Sequence, residues 1–175
     1  MQVSIRHLGV YILINWKNQH CGVHQASFVQ LAELMPDLIS MISETFPEDP
    51  NDFTWDVKVH MLMPGQFPCI PNWHYDNVPR VNNVQDFERV QKDKPMYLWL
   101  SGEPLTEFRK TGKVLEKSWV KFTQCDEHRG TQSDDFTWRG FIRATHKDIL
   151  PANKAGTNPL RRHSQVYLDS NNFSW

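Results

Sequence analysis

The chain has 175 residues, which is the length of one ordinary domain and enough to bury a single hydrophobic core. Its 19 basic and 20 acidic residues give a formal net charge of −1, so the overall field does not favour nucleic acid, an anionic membrane or an acidic substrate. Apolar residues make up 39% of the sequence and include 7 Trp and 10 Phe, a composition that excludes a disordered chain.

The first predicted elements are a strand and a helix. Residues 2–16 are rich in Val, Ile, Leu and Tyr and lack the features of a targeting peptide, so they predict a strand or short hairpin of a cytoplasmic protein. Between 27 and 46, apolar residues recur at three- and four-residue steps, which predicts an amphipathic helix with Ser27 as its N-cap. Pro36 should kink this helix or split it. No stretch of the sequence approaches a membrane span.

Short strands are predicted for most of the remaining chain. Residues 53–63 alternate, with Val57 and Val59 on one side and Lys58 and His60 on the other. Further strands are predicted at 95–102, 136–146 and 160–169, with one or two more between 103 and 128 and loops at 128–136 and 147–159. Many short strands behind one long helix predict a mainly β domain, built as a sandwich or barrel.

Several common site motifs are missing from the sequence. The three cysteines, at 21, 69 and 125, are far apart and odd in number, so they indicate neither a disulfide framework nor a zinc knuckle. There is no Gly-x-Ser-x-Gly motif, and the eight glycines do not form a phosphate-binding loop. The basic cluster at 161–163 is too small to indicate nucleic-acid binding.

A candidate pair of metal ligands occurs in the segment "PCIPNWHYDNVPR", residues 68–80. If residues 73–77 are extended, His74 and Asp76 project to one face and their neighbours to the other. Two ligands of one metal would then lie side by side. The alternative is a hydrogen-bonded turn, since a His-x-Asp triplet also arises by chance in a chain with 8 histidines.

Two later strands place polar residues on their inward faces. In "RGFIRATH" the alternation puts His146 on the apolar face of Ile142 and Ala144, as a ligand or as an ordinary core histidine. In "LRRHSQVYL" Arg162 and Ser164 share the apolar face of that strand. A buried arginine requires an anion because its charge cannot be removed. That anion is either an internal carboxylate or a small dicarboxylic ligand.

Taken in order, these residues resemble the iron(II)- and 2-oxoglutarate-dependent dioxygenases. In that family a His-x-Asp/Glu…His triad holds the iron, and an Arg-x-Ser pair on the last core strand binds the distal carboxylate of 2-oxoglutarate. The resemblance implies iron ligands His74, Asp76 and His146 and cosubstrate anchors Arg162 and Ser164.

The resemblance also implies a fold and an activity. The fold is a single domain, 1–175, with a double-stranded β-helix (jelly roll) core at about 57–169 and the N-terminal helix packed on its sheet. The activity is that of a hydroxylase or demethylase whose substrate the sequence does not identify. Arg161 binds the anion instead of Arg162 if the strand register shifts by one residue. His163 competes with His146 as the distal iron ligand.

Two alternatives remain open at this point. The same triad also accepts manganese, cobalt or nickel. The alternative to an enzyme is a non-catalytic β-sandwich or a cupin-like metal-binding or assembly protein. The His-x-His motif and the following Glu that are usual in cupins are missing from the sequence.

Overall fold

The computed structural model describes Trp16 and residues 22–152, 159–161 and 166–168. These residues form a mainly β structure with two short helices and antiparallel sheets, none of which closes into a barrel within the described chain. The prediction of a mainly β chain is therefore confirmed. The strand predicted at 2–16 lies outside the described residues except for Trp16, which is buried.

The helices are α1 (Phe28–Leu34) and α2 (Pro36–Thr45), and single 3-10 turns occur at Pro50–Asp52 and Phe87–Arg89. The strands, in chain order, are β1 (Gly22–Ala26), β2 (Phe53–Leu62), β3 (Arg80–Val81), β4 (Val84–Gln85), β5 (Met96–Ser101), β6 (Thr106–Phe108), β7 (Gly112–Lys113), β8 (Val120–Phe122), β9 (His128–Gly130), β10 (Thr137–His146) and β11 (Leu160–Arg161). No helix in the described part of the chain is long and apolar enough to cross a membrane.

The single helix predicted from the apolar periodicity is present as two helices. Ser27 caps α1, because its side chain accepts a hydrogen bond from the Gln30 amide while the Gln30 side chain accepts one from the Ser27 amide. Pro36 occupies the first turn of α2, where its missing N–H is tolerated. Pro36 therefore splits the predicted helix.

A six-stranded antiparallel sheet in the order β11-β1-β2-β10-β5-β8 forms the centre of the structure. Strands β2 and β10 pair along ten residues, from Thr137 opposite Leu62 to His146 opposite Phe53. A smaller sheet has the order β7-β6-β9, and β3 and β4 form a separate hairpin. Strand β9 lies where a loop was predicted at 128–136, so that prediction is wrong in its first three residues.

The two faces of the large sheet differ in character. One face packs on the helices, in a core that includes Leu31, Leu38, Ile42, Phe53, Trp55, Val57, Ile142 and Ala144. The other face packs beneath the small sheet, in a second core that includes Met96, Leu98, Leu100, Phe108, Val114 and Phe122. Because side chains alternate along a strand, β2 and β10 send their charged residues to this second face. These residues are Asp56 and Lys58 from β2 and Arg139 and Arg143 from β10.

Candidate metal centre

His74 and His128 face each other across an antiparallel bridge. The His74 amide donates to the His128 carbonyl and the His128 amide donates to the His74 carbonyl, both at 3.0 Å. The centroids of the two rings are 4.4 Å apart. The backbone pairing thus holds two imidazoles side by side at the edge of the small sheet.

Asp76 completes a group of three ligand side chains. Its Oδ1 lies 4.0 Å from His74 Nε2, and its Oδ2 lies 3.4 Å from His128 Nε2. One ligand atom from each of the three residues lies within 4.8 Å of the other two. Two imidazoles and one carboxylate are ligands that iron(II) and other divalent first-row metals accept, so these three side chains could hold such a metal.

Hydrogen bonds to backbone carbonyls orient both histidine rings. The Nδ1 atom of His74 lies 2.9 Å from the Asn72 carbonyl oxygen, and that of His128 lies 3.2 Å from the Asp126 carbonyl oxygen. A carbonyl oxygen only accepts, so each Nδ1 carries the proton and each neutral ring has its lone pair on Nε2. Histidines that ligate metals are oriented by this kind of outer hydrogen bond.

Arg143 links the ligand Asp76 to a buried carboxylate on β2. Its Nη1 donates to Asp76 Oδ2 at 2.6 Å and its Nη2 donates to Asp56 Oδ2 at 2.8 Å. Asp56 is 1% exposed and also accepts from His24 Nδ1 at 2.8 Å. Burial alone would raise the pKa of Asp76, but Arg143 and the two imidazoles hold that pKa well below its usual value. Asp76 is therefore an ionised carboxylate.

The two histidines differ in how they hold a proton. Burial, together with the neighbouring His128, lowers the pKa of His74. Burial also acts to lower the pKa of His128, but the Asp76 carboxylate outweighs it and raises that pKa above the ordinary value. A proton therefore competes with a metal less at His74 than at His128.

A cavity of about 110 Å³ adjoins the three ligand side chains. Its wall is apolar at Leu98, Phe108 and Phe141, and it carries the positive charges of Lys58 and Arg143. A cavity of this size holds several water molecules or one small organic acid. It therefore suits a small anionic molecule.

Arg139 is a fully buried cation beside this cavity. Its Nη2 donates to the hydroxyl of Thr106, a cavity residue, at 2.9 Å, while Nε and Nη1 have no hydrogen-bond partner among the described residues. Burial lowers the pKa of Arg139 to about 10, which leaves the side chain charged at neutral pH. A buried guanidinium without a carboxylate is costly, and an anionic ligand would satisfy it.

Lys58 adds a second cation on the same side of the sheet. Its Nζ lies 5.1 Å from the centroid of the Phe141 ring, and it forms no ion pair with any described residue. Burial lowers the pKa of Lys58, and so does the nearby Arg143. Among the residues that line the cavity, the two cations Lys58 and Arg143 therefore outnumber the one carboxylate, Asp76.

His146, the predicted third ligand, lies outside this group of side chains. It does share a face with Ile142 and Ala144, but that face of β10 packs on the helices. Its ring packs against Phe53 with 5.5 Å between centroids, and its Nδ1 lies 3.6 Å from Asp148 Oδ2. His74 and Asp76 approach the opposite face of the sheet, where Arg143 projects.

The other predicted site residues have different outcomes. Arg162 and Ser164 lie outside the described residues, and so does His163. His128 was missed because its strand has three residues and no apolar alternation. Arg139 was missed although a signal was present, since the alternation of "RGFIRATH" places two arginines opposite its apolar face.

Comparison of the chain with protein-family models, with curated proteins and with solved structures gives no match. The function is therefore inferred from the chain's own side chains.

Proposed function

We propose that this chain is an iron(II)- and 2-oxoglutarate-dependent oxygenase whose metal ligands are His74, Asp76 and His128. The observation that carries the proposal is the convergence of these three side chains beside a cavity whose Lys58 has no carboxylate partner among the described residues. Two imidazoles and one carboxylate on one face of an octahedral metal leave three positions open, as non-haem iron oxygenases require. The large and small sheets on either side of the second core support the jelly roll as the finer description of the fold.

The chain's own hydrogen bonds orient the ligand side chains before a metal binds. The carbonyls of Asn72 and Asp126 orient the two rings, and Arg143 keeps Asp76 ionised. Bound iron(II) would supply the activation of dioxygen. The apolar wall at Leu98, Phe108 and Phe141 limits the access of bulk water to the reacting groups.

The unpaired cations suit the second carboxylate of a dicarboxylic 2-oxo acid. Arg139 offers Nε and Nη1, and the neighbouring Thr106 hydroxyl adds a polar contact. The methylene groups of the acid would lie against the apolar wall of the cavity. We therefore propose Arg139 for the role that the resemblance gives to Arg162, which lies outside the described residues. The substrate to be oxidised would approach the mouth of the cavity.

Metal titration of matched histidine variants tests the ligand set. We expect one Mn(II) or Co(II) per chain by calorimetry, and a loss of at least about 100-fold in affinity for His128→Ala, because even outer-shell partners contribute 10- to 100-fold. His146→Ala is the matched control and should bind as the wild type does. Equal affinity in wild type and His128→Ala would overturn the ligand assignment.

Turnover separates the enzyme from a metal-binding protein. The full chain with iron(II), ascorbate and 2-oxoglutarate should convert the oxo acid to succinate slowly even without a substrate, and His128→Ala should not. A protein that binds metal through His74, Asp76 and His128 but forms no succinate is a non-catalytic binding protein. One observation favours another candidate, a β-sandwich protein in which these residues are structural: Arg143 pairs with both Asp56 and Asp76 without a metal.

A further inference from the structure

We infer that Arg143 is a positioning residue that keeps Asp76 a monodentate ligand and so preserves the third open position on the metal. The inference rests on the proposed metal site and extends it to a residue that does not itself contact the metal. It assigns a role to the ion pair between Arg143 and Asp76, which is the shortest contact that the carboxylate makes among the described polar groups.

The two oxygens of Asp76 have different surroundings. Oδ2 accepts a charge-assisted hydrogen bond from Arg143 Nη1 at 2.6 Å. Oδ2 also lies 3.4 Å from His128 Nε2, whereas Oδ1 faces His74 Nε2 at 4.0 Å and accepts no hydrogen bond from a described residue. A bidentate carboxylate would have to turn both oxygens toward one metal, which would move Oδ2 out of line with the Arg143 bond, one of the stronger kinds in proteins. Oδ1 is therefore the oxygen left for the metal.

Arg143 is fixed at its other end and cannot follow the carboxylate. Its Nη2 is bonded to Asp56, which lies directly opposite on β2 in the strand register. Asp56 is fully buried and also accepts from His24 and from the Gln25 amide at 3.2 Å. Separating a buried ion pair is strongly unfavourable, so the guanidinium keeps its position on the sheet.

The effect of Arg143 on the metal is one of geometry. Its positive charge repels a cation, so Arg143 does not increase metal affinity by direct electrostatic attraction. If Arg143 is removed, Oδ2 becomes free to bind and Asp76 can occupy two positions. The number of open positions then falls from three to two.

Water proton relaxivity of the Mn(II)-loaded full chain measures this number directly, because relaxivity per bound Mn(II) scales with the number of coordinated waters. The wild type should show three waters. The double variant Arg143→Met with Asp56→Asn should show a relaxivity lower by about one third, with no loss of Mn(II) affinity. The second substitution avoids leaving the Asp56 charge buried and unpaired.

Two further variants serve as a conservative replacement and as a control. Arg143→Lys keeps the charge, but one ammonium cannot reproduce the fork that reaches both carboxylates, so the relaxivity should fall here as well. Arg89→Met is the matched control: this exposed arginine pairs with Asp86 and has no role in the proposed site, so its relaxivity should equal that of the wild type.

Each outcome has one meaning. A wild-type value of two waters, or an unchanged relaxivity in the double variant, overturns the role of Arg143. Reduced affinity with unchanged relaxivity marks Arg143 as merely structural and also overturns it. Failure of the wild type to bind Mn(II) overturns the proposed metal site itself.

Discussion

His74 and His128 exchange both of their backbone hydrogen bonds, each at 3.0 Å, although they lie on segments far apart in the chain. In an antiparallel pair, residues that face each other in this way carry their side chains on the same side of the ribbon. The two imidazoles are therefore brought together by backbone pairing and do not depend on a metal to find each other. Asp76 follows His74 by two residues, so it projects to the same side.

Metal affinity should depend on pH through His128. Asp76 raises the pKa of His128 above its ordinary value of 6.5, while His74 has a lowered pKa and competes less for protons. A metal needs the neutral ring, so affinity should be constant at high pH and fall about tenfold per pH unit once His128 is protonated. Calorimetric titration with Mn(II) between about pH 5 and pH 8 measures this dependence. A flat profile would show that His128 is not a ligand.

The Asp56–Arg143 pair should make the fold sensitive to acid. Burial acts to raise the pKa of Asp56, but Arg143 and His24 lower that pKa far below its ordinary value of 3.8. A lowered pKa means that the stabilisation is present above the unfolded-state pKa and is lost as the pH falls below about 4. Asp56→Asn should lose about 3–5 kcal/mol of unfolding free energy at pH 7 and show a weaker dependence on acid.

Urea unfolding of Asp56→Asn at pH 7 and at lower pH measures this effect. The exposed Asp52, which pairs with Lys147, provides the control, and Asp52→Asn should unfold almost as the wild type does. If the two variants are equally stable, the ion pair beneath the site does not hold the sheet together.

Trp73 should support the segment that carries two of the ligands. The guanidinium carbons of Arg109 and Arg129 lie 4.5 Å and 4.6 Å from the centroid of a Trp73 ring, immediately before His74. Trp73→Leu removes these cation–π contacts and should lower Mn(II) affinity about tenfold, which is the effect expected of a lost supporting contact. Trp138→Leu, at a partly exposed tryptophan on the other face of β10, is the control. Equal affinity in both variants would contradict the supporting role.

Sequence patterns predicted the local structure well, but they did not predict which face of the large sheet carries the candidate site. The capping residue Ser27, the break at Pro36 and the alternation of β2 and β10 all follow from short-range patterns. Alternation shows which residues share a face, but both faces of the large sheet are buried, so it does not tell which one holds a site. For this reason the sequence grouped His146 with His74 and Asp76, although His146 lies on the face of β10 opposite to Arg143.

The pairing of His128 with His74 could not be predicted from these patterns. Strand β9 has three residues and lies between polar segments, so no periodicity marks it. Its pairing is long-range, and a shift of one residue would have turned His128 to the other side of the ribbon. The site therefore depends on a strand register that the local sequence does not determine.

Arg139 provides the most direct test of the cosubstrate assignment. Because this buried cation lacks an anionic partner among the described residues, Arg139→Met should not destabilise the ligand-free protein and should raise its melting temperature slightly. If Arg139 instead stabilised the fold, its replacement would lower the melting temperature. Arg143→Met is the matched control on the same face of β10, and it should lose stability because it removes the guanidinium that bridges the carboxylates of Asp56 and Asp76.

Thermal unfolding with and without 2-oxoglutarate in the presence of Mn(II) completes the test. Ligand that binds only the folded state raises the melting temperature of the wild type. Arg139→Met should lose this shift and keep its affinity for Mn(II), because Arg139 is placed at the carboxylate and not at the metal. If 2-oxoglutarate still protects Arg139→Met as it protects the wild type, the anion lies elsewhere. The guanidinium of Arg139 would then be a buried charge that the fold tolerates without a ligand.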